Sequence, residues 1–222
     1  RESLIEMARE TTVVCSTVGP YMKYGSDLVA ACVETKTQYC DLTGETPWIR
    51  QMIDTHHEAA KQNGTRIVHC CGFDSIPSDM GVYYLQQQAF KQFGEHCSTV
   101  RMRVKRIKGG ASGGTIASMV NITKEASKDK ALRKELANPY SICPENHGFT
   151  ARQTNVSTPE LDSESGQWAG PFVMAAVNTR VVHRSNALQD SAYGLNFKYD
   201  ESMLMGKGTK GRLRAAGFGV GL

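Results

Sequence analysis

Three short stretches of this 222-residue chain combine hydrogen-bonding groups, carboxylates and glycine: Ser-Thr-Val-Gly-Pro-Tyr at 16–21, Asp-Leu-Thr-Gly-Glu at 41–45 and Cys-Gly-Phe-Asp-Ser-Ile-Pro at 71–77. Ser16, Thr17 and Ser75 offer hydroxyls, while Asp41, Glu45 and Asp74 offer carboxylates that could take up or release a proton. The Gly19-Pro20 pair lets backbone approach a bound group and then fixes the turn. The same residue types also start helices. Thr46 followed by Pro47, and Asp74 or Ser75 ahead of Pro77, are good N-terminal chemistry. Residue type alone leaves both uses open.

Other chemistry is weaker. Cys70 and Cys71 are adjacent, so on a strand they face opposite sides and do not jointly clasp a metal. An apolar sheet position raises a thiol pKa, so these cysteines read as inert. His57-Glu58 lacks the second histidine of a zinc motif, and no metal is expected. Gly110-Ala-Ser112-Gly-Gly114 fits a nucleophile-elbow pattern, which keeps a serine hydrolase as a remote alternative. Arg101-Met-Arg-Val-Lys-Arg-Ile-Lys108 reads as a solvated strand face before it reads as a nucleic-acid patch, with a phosphate-bearing or acyl-carrier substrate as a third reading.

The elements that must carry the three loops repeat. Apolar, β-branched runs at 11–17, 37–43 and 65–72 start about 27 residues apart, near the size of a βαβ unit. Between them Leu28, Val29, Cys32 and Val33 make one helical face behind Ser26, a candidate cap. Ile49, Met52, Ile53, His56 and Ala60 make another, closed by Asn63-Gly64. A third helix is predicted from Ile76-Pro77 to Phe93, with Gly94 as its stop. Apolar strands joined by helices imply a parallel sheet, with the three loops at its C-terminal edge, where ligands bind.

After Gly94 the pattern changes. Val100, Met102 and Val104 alternate with Arg101, Arg103 and Lys105, which is a strand with one wet face in an antiparallel or mixed sheet. A long helix is expected over 115–137, loop over 138–170, a helix over 174–188 and a strand over 192–199. The expected organisation is a partial nucleotide-binding domain over 1–95 and an α+β domain over 96–222.

A net charge of +4 falls short of a nucleic-acid footprint, so no nucleic-acid partner is expected. Seven cysteines, an odd number without a CxxC pair, point to reduced thiols and an intracellular setting. No apolar run approaches the roughly 18 residues of a membrane helix. The first residues read as the middle of a helix, so the chain is expected to be an internal piece of a longer protein.

The stretches VVCSTVGPYMKYGSDLVAAC, YCDLTGE and CGFDSIPSDMGV resemble the saccharopine dehydrogenase-like oxidoreductases, a family that includes the bacterial trans-acting enoyl reductases. SGGTIASM and GPFVMAAVNTRVVHRS match more weakly, and together the matches span roughly residues 3 to 190. The resemblance implies an α/β chain: the C-terminal half of a Rossmann doubly wound parallel sheet, then an α+β domain. It implies NAD or NADP, hydride transfer to or from a C=C or C=N bond, and a lipid-like small-molecule substrate. Ser16, Thr17, Val18, Gly19 and Pro20 would lie along the cofactor, with Gly72, Phe73, Asp74 and Ser75 facing its nicotinamide end. Asp41, Glu45, Asp74 and Tyr24 are the candidate proton donors. The family's G-x-[TS]-G-[FY]-[TV]-G loop, which carries the pyrophosphate, is missing from these residues, so the chain as given is expected to bind cofactor weakly or not at all. Peripheral contact with a membrane or lipid droplet and a homodimer are compatible with this reading. The alternative is a non-catalytic, lipid- or membrane-associated scaffold that keeps the fold without the reaction.

Overall fold

Three parallel strands, β1 (Val13–Ser16), β2 (Gln38–Asp41) and β3 (Ile67–Val68), lie in the order β1-β2-β3. Cys15 pairs with Cys40, Ser16 with Asp41 and Cys40 with Val68, so the strand ends form one edge. The computed structural model to which they belong describes residues 1–108 and 113–220. It divides into two compact units. One holds Arg1–Ile76 and a later stretch ending at Ile142; the other takes up the chain from Pro77 and again from Cys143.

In the first unit α1 (Glu2–Arg9) precedes β1, and α2 (Tyr21–Tyr24) and α3 (Ser26–Thr35) lead to β2. α4 (Thr46–Asn63) then leads to β3, and α5 (Ile76–Phe93) leads out into the second unit. The βα rhythm follows from local chemistry. Pro47 stands in the first turn of α4, where its missing N–H costs nothing, and Gly64 ends the helix at φ 78°. Trp48, Ile49, Met52 and Ala60 supply its buried face. Ser26 is not a cap: it is the first residue of α3, and its Oγ accepts from Trp48 Nε1 at 3.0 Å. Thr46 is likewise the first residue of α4 rather than its cap, which is Glu45.

β3 is shorter than its apolar run suggests. Cys70 has φ 60° and leaves the ladder, which resumes where Cys71 N–H donates to the Asp41 carbonyl at 2.7 Å. Cys70 and Cys71 are therefore loop residues, not opposite faces of a strand. The chain returns to this unit for α6 (Gly113–Lys128) and α7 (Lys130–Ala137). The single helix expected over 115–137 is broken at Asp129, whose carboxylate accepts from the N–H groups of Ala131 and Leu132 and starts a new helix.

The second unit has a mixed sheet in the order β4-β7-β6-β5. It comprises β4 (Thr99–Val104), β5 (Glu160–Asp162), β6 (Gln167–Gly170) and β7 (Lys198–Gly206), with α8 (Ala175–Leu188) before β7 and α9 (Gly208–Val220) after it. β4 and β7 are parallel; the other pairs are antiparallel. Val82 of α5, Val100, Val182, Tyr193, Phe197 and Tyr199 form the core. The strand expected over 192–199 begins only at Lys198. Asp190 and Ser191 take positive φ, and the Asn186 amide bonds Tyr193 N–H and the Gly194 carbonyl, so 190–194 is a turn. The segment expected to be loop carries the β5–β6 hairpin, closed by Gly166 at φ 63° and by Asp162 accepting from Ser165.

Candidate functional site

The residues singled out at 16–20, 41–45 and 72–75 all lie at the C-terminal edge of the parallel sheet. Ser16 ends β1, is buried, and its carbonyl accepts from Tyr21 Oη at 3.0 Å. Thr17 and Val18 are exposed, and Gly19 and Pro20 are half-buried before α2 begins. Tyr24, at the end of α2, is 63% exposed. Burial first, with the nearby carboxylates of Asp41 and Glu45 adding to it, pushes the Tyr21 hydroxyl up to about 12, so Tyr21 stays neutral and donates.

Glu45 is buried, and both its oxygens meet backbone. Oε1 accepts from Tyr21 N–H at 2.8 Å and Oε2 from Met22 N–H at 2.9 Å. It thus closes the first turn of α2 from 24 residues away, a charged cap in a place where a buried N–H would otherwise be orphaned. Its own N–H donates to Thr43 Oγ1 at 3.1 Å, which fixes the loop.

Asp41 is fully buried at the end of β2. Oδ1 accepts from Thr43 N–H at 3.1 Å and Cys70 N–H at 3.2 Å. Oδ2 accepts from His69 Nδ1 at 2.7 Å. The His69 ring sits edge-on to Trp48 at 5.1 Å and to Tyr39 at 6.0 Å, with 9% of its side chain exposed. A carboxylate on Nδ1 fixes the ring and its tautomer and leaves Nε2 as the nitrogen able to exchange a proton. Sequence reading passed over His69 because two cysteines follow it. The signal was there: His69 lies 28 residues after Asp41, one βα repeat, and the Cys40–Val68 register brings the two side by side.

In the third loop Gly72 has no room for a side chain; a Cβ there would lie 2.9 Å from Leu42 Cβ. The Gly72 carbonyl accepts from Ser75 N–H at 3.2 Å and Ile76 N–H at 3.0 Å, the turn that starts α5. Ser75 is buried, whereas Phe73 is 89% exposed and Asp74 is exposed. The thiols are quiet. Cys70 Sγ donates to the Thr43 carbonyl at 3.0 Å, and burial first, then Asp41, pushes the Cys71 thiol up. The edge therefore has a rigid inner layer of Asp41, Glu45, His69 and Ser75, and an accessible outer layer of Thr17, Val18, Tyr24, Phe73 and Asp74.

Two sequence motifs lie elsewhere. Ser112 falls outside the described residues. In β4, Arg103 is not the solvated residue expected: Nε donates to Asp162 Oδ1 at 2.7 Å and Nη1 to Asp200 Oδ1 at 2.5 Å. Among the described residues no helix is long and apolar enough to cross a membrane.

No protein-family model and no solved structure matches the chain. It is 44% identical over 213 residues to a Mycobacterium tuberculosis protein provisionally named a trans-acting enoyl reductase, a match covering 92% of this chain and 50% of that protein. It is 40% identical over 224 residues to the trans-acting enoyl reductase of Mycobacterium bovis, covering 96% and 53%. It is 40% identical over 215 residues to that of Mycobacterium ulcerans, covering 92% and 51%. The chain spans about half the length of the curated relatives it matches. Over that half, it is related to the mycobacterial proteins named trans-acting enoyl reductase.

Proposed function

We propose that the chain is part of an NAD(P)H-dependent enoyl reductase of the saccharopine dehydrogenase-like kind, acting on the C=C bond of a lipid-like substrate. The observation that carries this reading is the 40–44% identity, over most of the chain, to proteins named trans-acting enoyl reductase. The three-stranded parallel sheet with its loops on one edge supports it, as the C-terminal half of a Rossmann-type sheet.

The outer layer of the edge fits a planar, polar cofactor. Thr17 offers a hydroxyl, Phe73 an aromatic ring open to a partner, and Gly72 a close-packed turn with no side chain in the way. Ser16 to Pro20 and Gly72 to Ser75 would hold NADH or NADPH, which when bound supplies the hydride. The chain's own part is orientation and the proton. Asp41 holds the His69 ring at 2.7 Å, and the Asp41–His69 pair would serve as the proton relay at this edge. Glu45, with both oxygens on backbone N–H groups, acts by fixing α2. Tyr24 and Asp74 remain accessible as alternative donors.

The test is fluorescence titration of NADH and NADPH into the protein at the full length of its relatives, followed by reduction of an enoyl thioester. Saturable binding below about millimolar cofactor is expected. His69→Gln is expected to lower turnover about 100-fold or more while leaving cofactor binding in place. Absence of binding at millimolar cofactor sinks the reductase reading and favours the non-catalytic scaffold. Full activity in His69→Gln moves the proton to Tyr24 or Asp74.

A further inference from the structure

Strand alternation makes the mixed sheet two-sided. Val100 and Tyr199 face the apolar core with Met102 against it, and the residues between them, Arg101, Arg103, Lys198 and Asp200, share the opposite face. That face floors a cavity of about 700 Å³, a volume typical of small-molecule sites. Residues 152–156 form another wall of it. Gln153 ties this wall to β7: its Nε2 donates to the Phe197 carbonyl at 3.0 Å, and Tyr199 N–H donates to its Oε1 at 3.1 Å. The two bonds bracket Lys198, which lines the cavity together with Arg152.

The charges of the cavity fall into two groups. Arg103 lies between Asp162 and Asp200, and Arg101 Nε is 3.7 Å from Asp200, so two guanidiniums balance two carboxylates. Arg152 and Lys198 are exposed, and among the described residues their side chains have no ion pair or hydrogen bond. Glu160, exposed, is the remaining acid of the lining. Such walls are poor company for an acyl chain and good company for an oxyanion.

We propose that this cavity binds a small molecule through a phosphate or carboxylate group held between Arg152 and Lys198, with the ion-paired floor against its polar body. The site belongs to the second unit and is independent of the reductase reading, which its failure would leave untouched. The test is calorimetric titration of the protein at the full length of its relatives with inorganic pyrophosphate and, separately, citrate. Saturable binding that weakens with added salt is expected for at least one probe. Arg152→Ala/Lys198→Ala is expected to weaken it about tenfold or more with an unchanged melting curve, and Lys198→Glu is expected to abolish it. Binding of pyrophosphate alone assigns a phosphate ligand, and binding of citrate alone a carboxylate ligand. No saturable binding of either probe at about 10 mM, or equal binding by the double variant, overturns the proposal.

Discussion

The edge of the parallel sheet and the charged face of the mixed sheet both bury pairs of carboxylates, and they satisfy them with different donors. Asp41 and Glu45 meet backbone N–H groups and one imidazole. Asp162 and Asp200 meet a guanidinium, with Ser165 as a further donor to Asp162. In the first unit the negative charge is used to hold loops in place, so the geometry of the edge depends on it. In the second the charge is cancelled where it stands, and the cations left over lie at the cavity. A buried carboxylate by itself therefore says little about function; its donors do.

The comparison can be broken first at Arg103. Arg103→Ala leaves Asp162 and Asp200 buried without their cation, and a loss of about 3–5 kcal/mol in urea unfolding is expected. The Asp162 carboxyl, held at about 2 chiefly by its bond to Arg103, would move back up, as read by carbon NMR. A loss under about 1 kcal/mol would show that the pair is not the structural centre of this face.

Glu45→Ala tests the other region. It strands the N–H groups of Tyr21 and Met22, and about 3 kcal/mol of stability should be lost. Unchanged stability with lost reductase activity would make Glu45 a catalytic group rather than a cap.

A third test uses a group buried away from both faces. Burial, with His147 adding to it, pulls His183 in α8 down to about 4. The unfolded chain takes up this proton near pH 6.5 and the folded chain only near pH 4, so stability is full above pH 6.5 and falls between the two. The loss is about 3 kcal/mol by pH 4. Urea midpoints at pH 7, 5.5 and 4 measure it, and a flat series refutes it.

The smallest effect concerns the thiols of the parallel sheet. Burial first, then the paired Cys15, pushes the Cys40 thiol up to about 11. Its alkylation by iodoacetamide should be slow at pH 8 and rise about tenfold per pH unit above that. Rapid labelling of Cys40 at pH 8 would make this face a reactive one.

Much of the first unit was legible because its signals are local. Apolar runs, Pro47 in a first turn and Gly64 after a helix are written within a few residues of where they act. The two-sidedness of β4 was legible for the same reason, by alternation, but the ion pairs that take Arg103 out of solvent were not. The break at Asp129 is also a local signal, but it was masked by good helix formers on both sides. The start of β7 was not legible, because the Asn186 amide reaches forward to make a turn from residues that look like strand.

The sequence by itself determined the βα rhythm, the sheet edge to which the three loops go, and the types of side chain collected there. Periodicity and capping act over one or two turns of chain, and they survive in any context that lets the elements form. Only the tertiary structure decided what those side chains do. Glu45 was a candidate proton donor until Tyr21 and Met22 came within 3 Å of it, and His69 was a bystander until the strand register set it on Asp41. Those contacts join residues 23 to 28 positions apart, and hydrogen bonds of that reach are fixed by packing, not by neighbours in sequence.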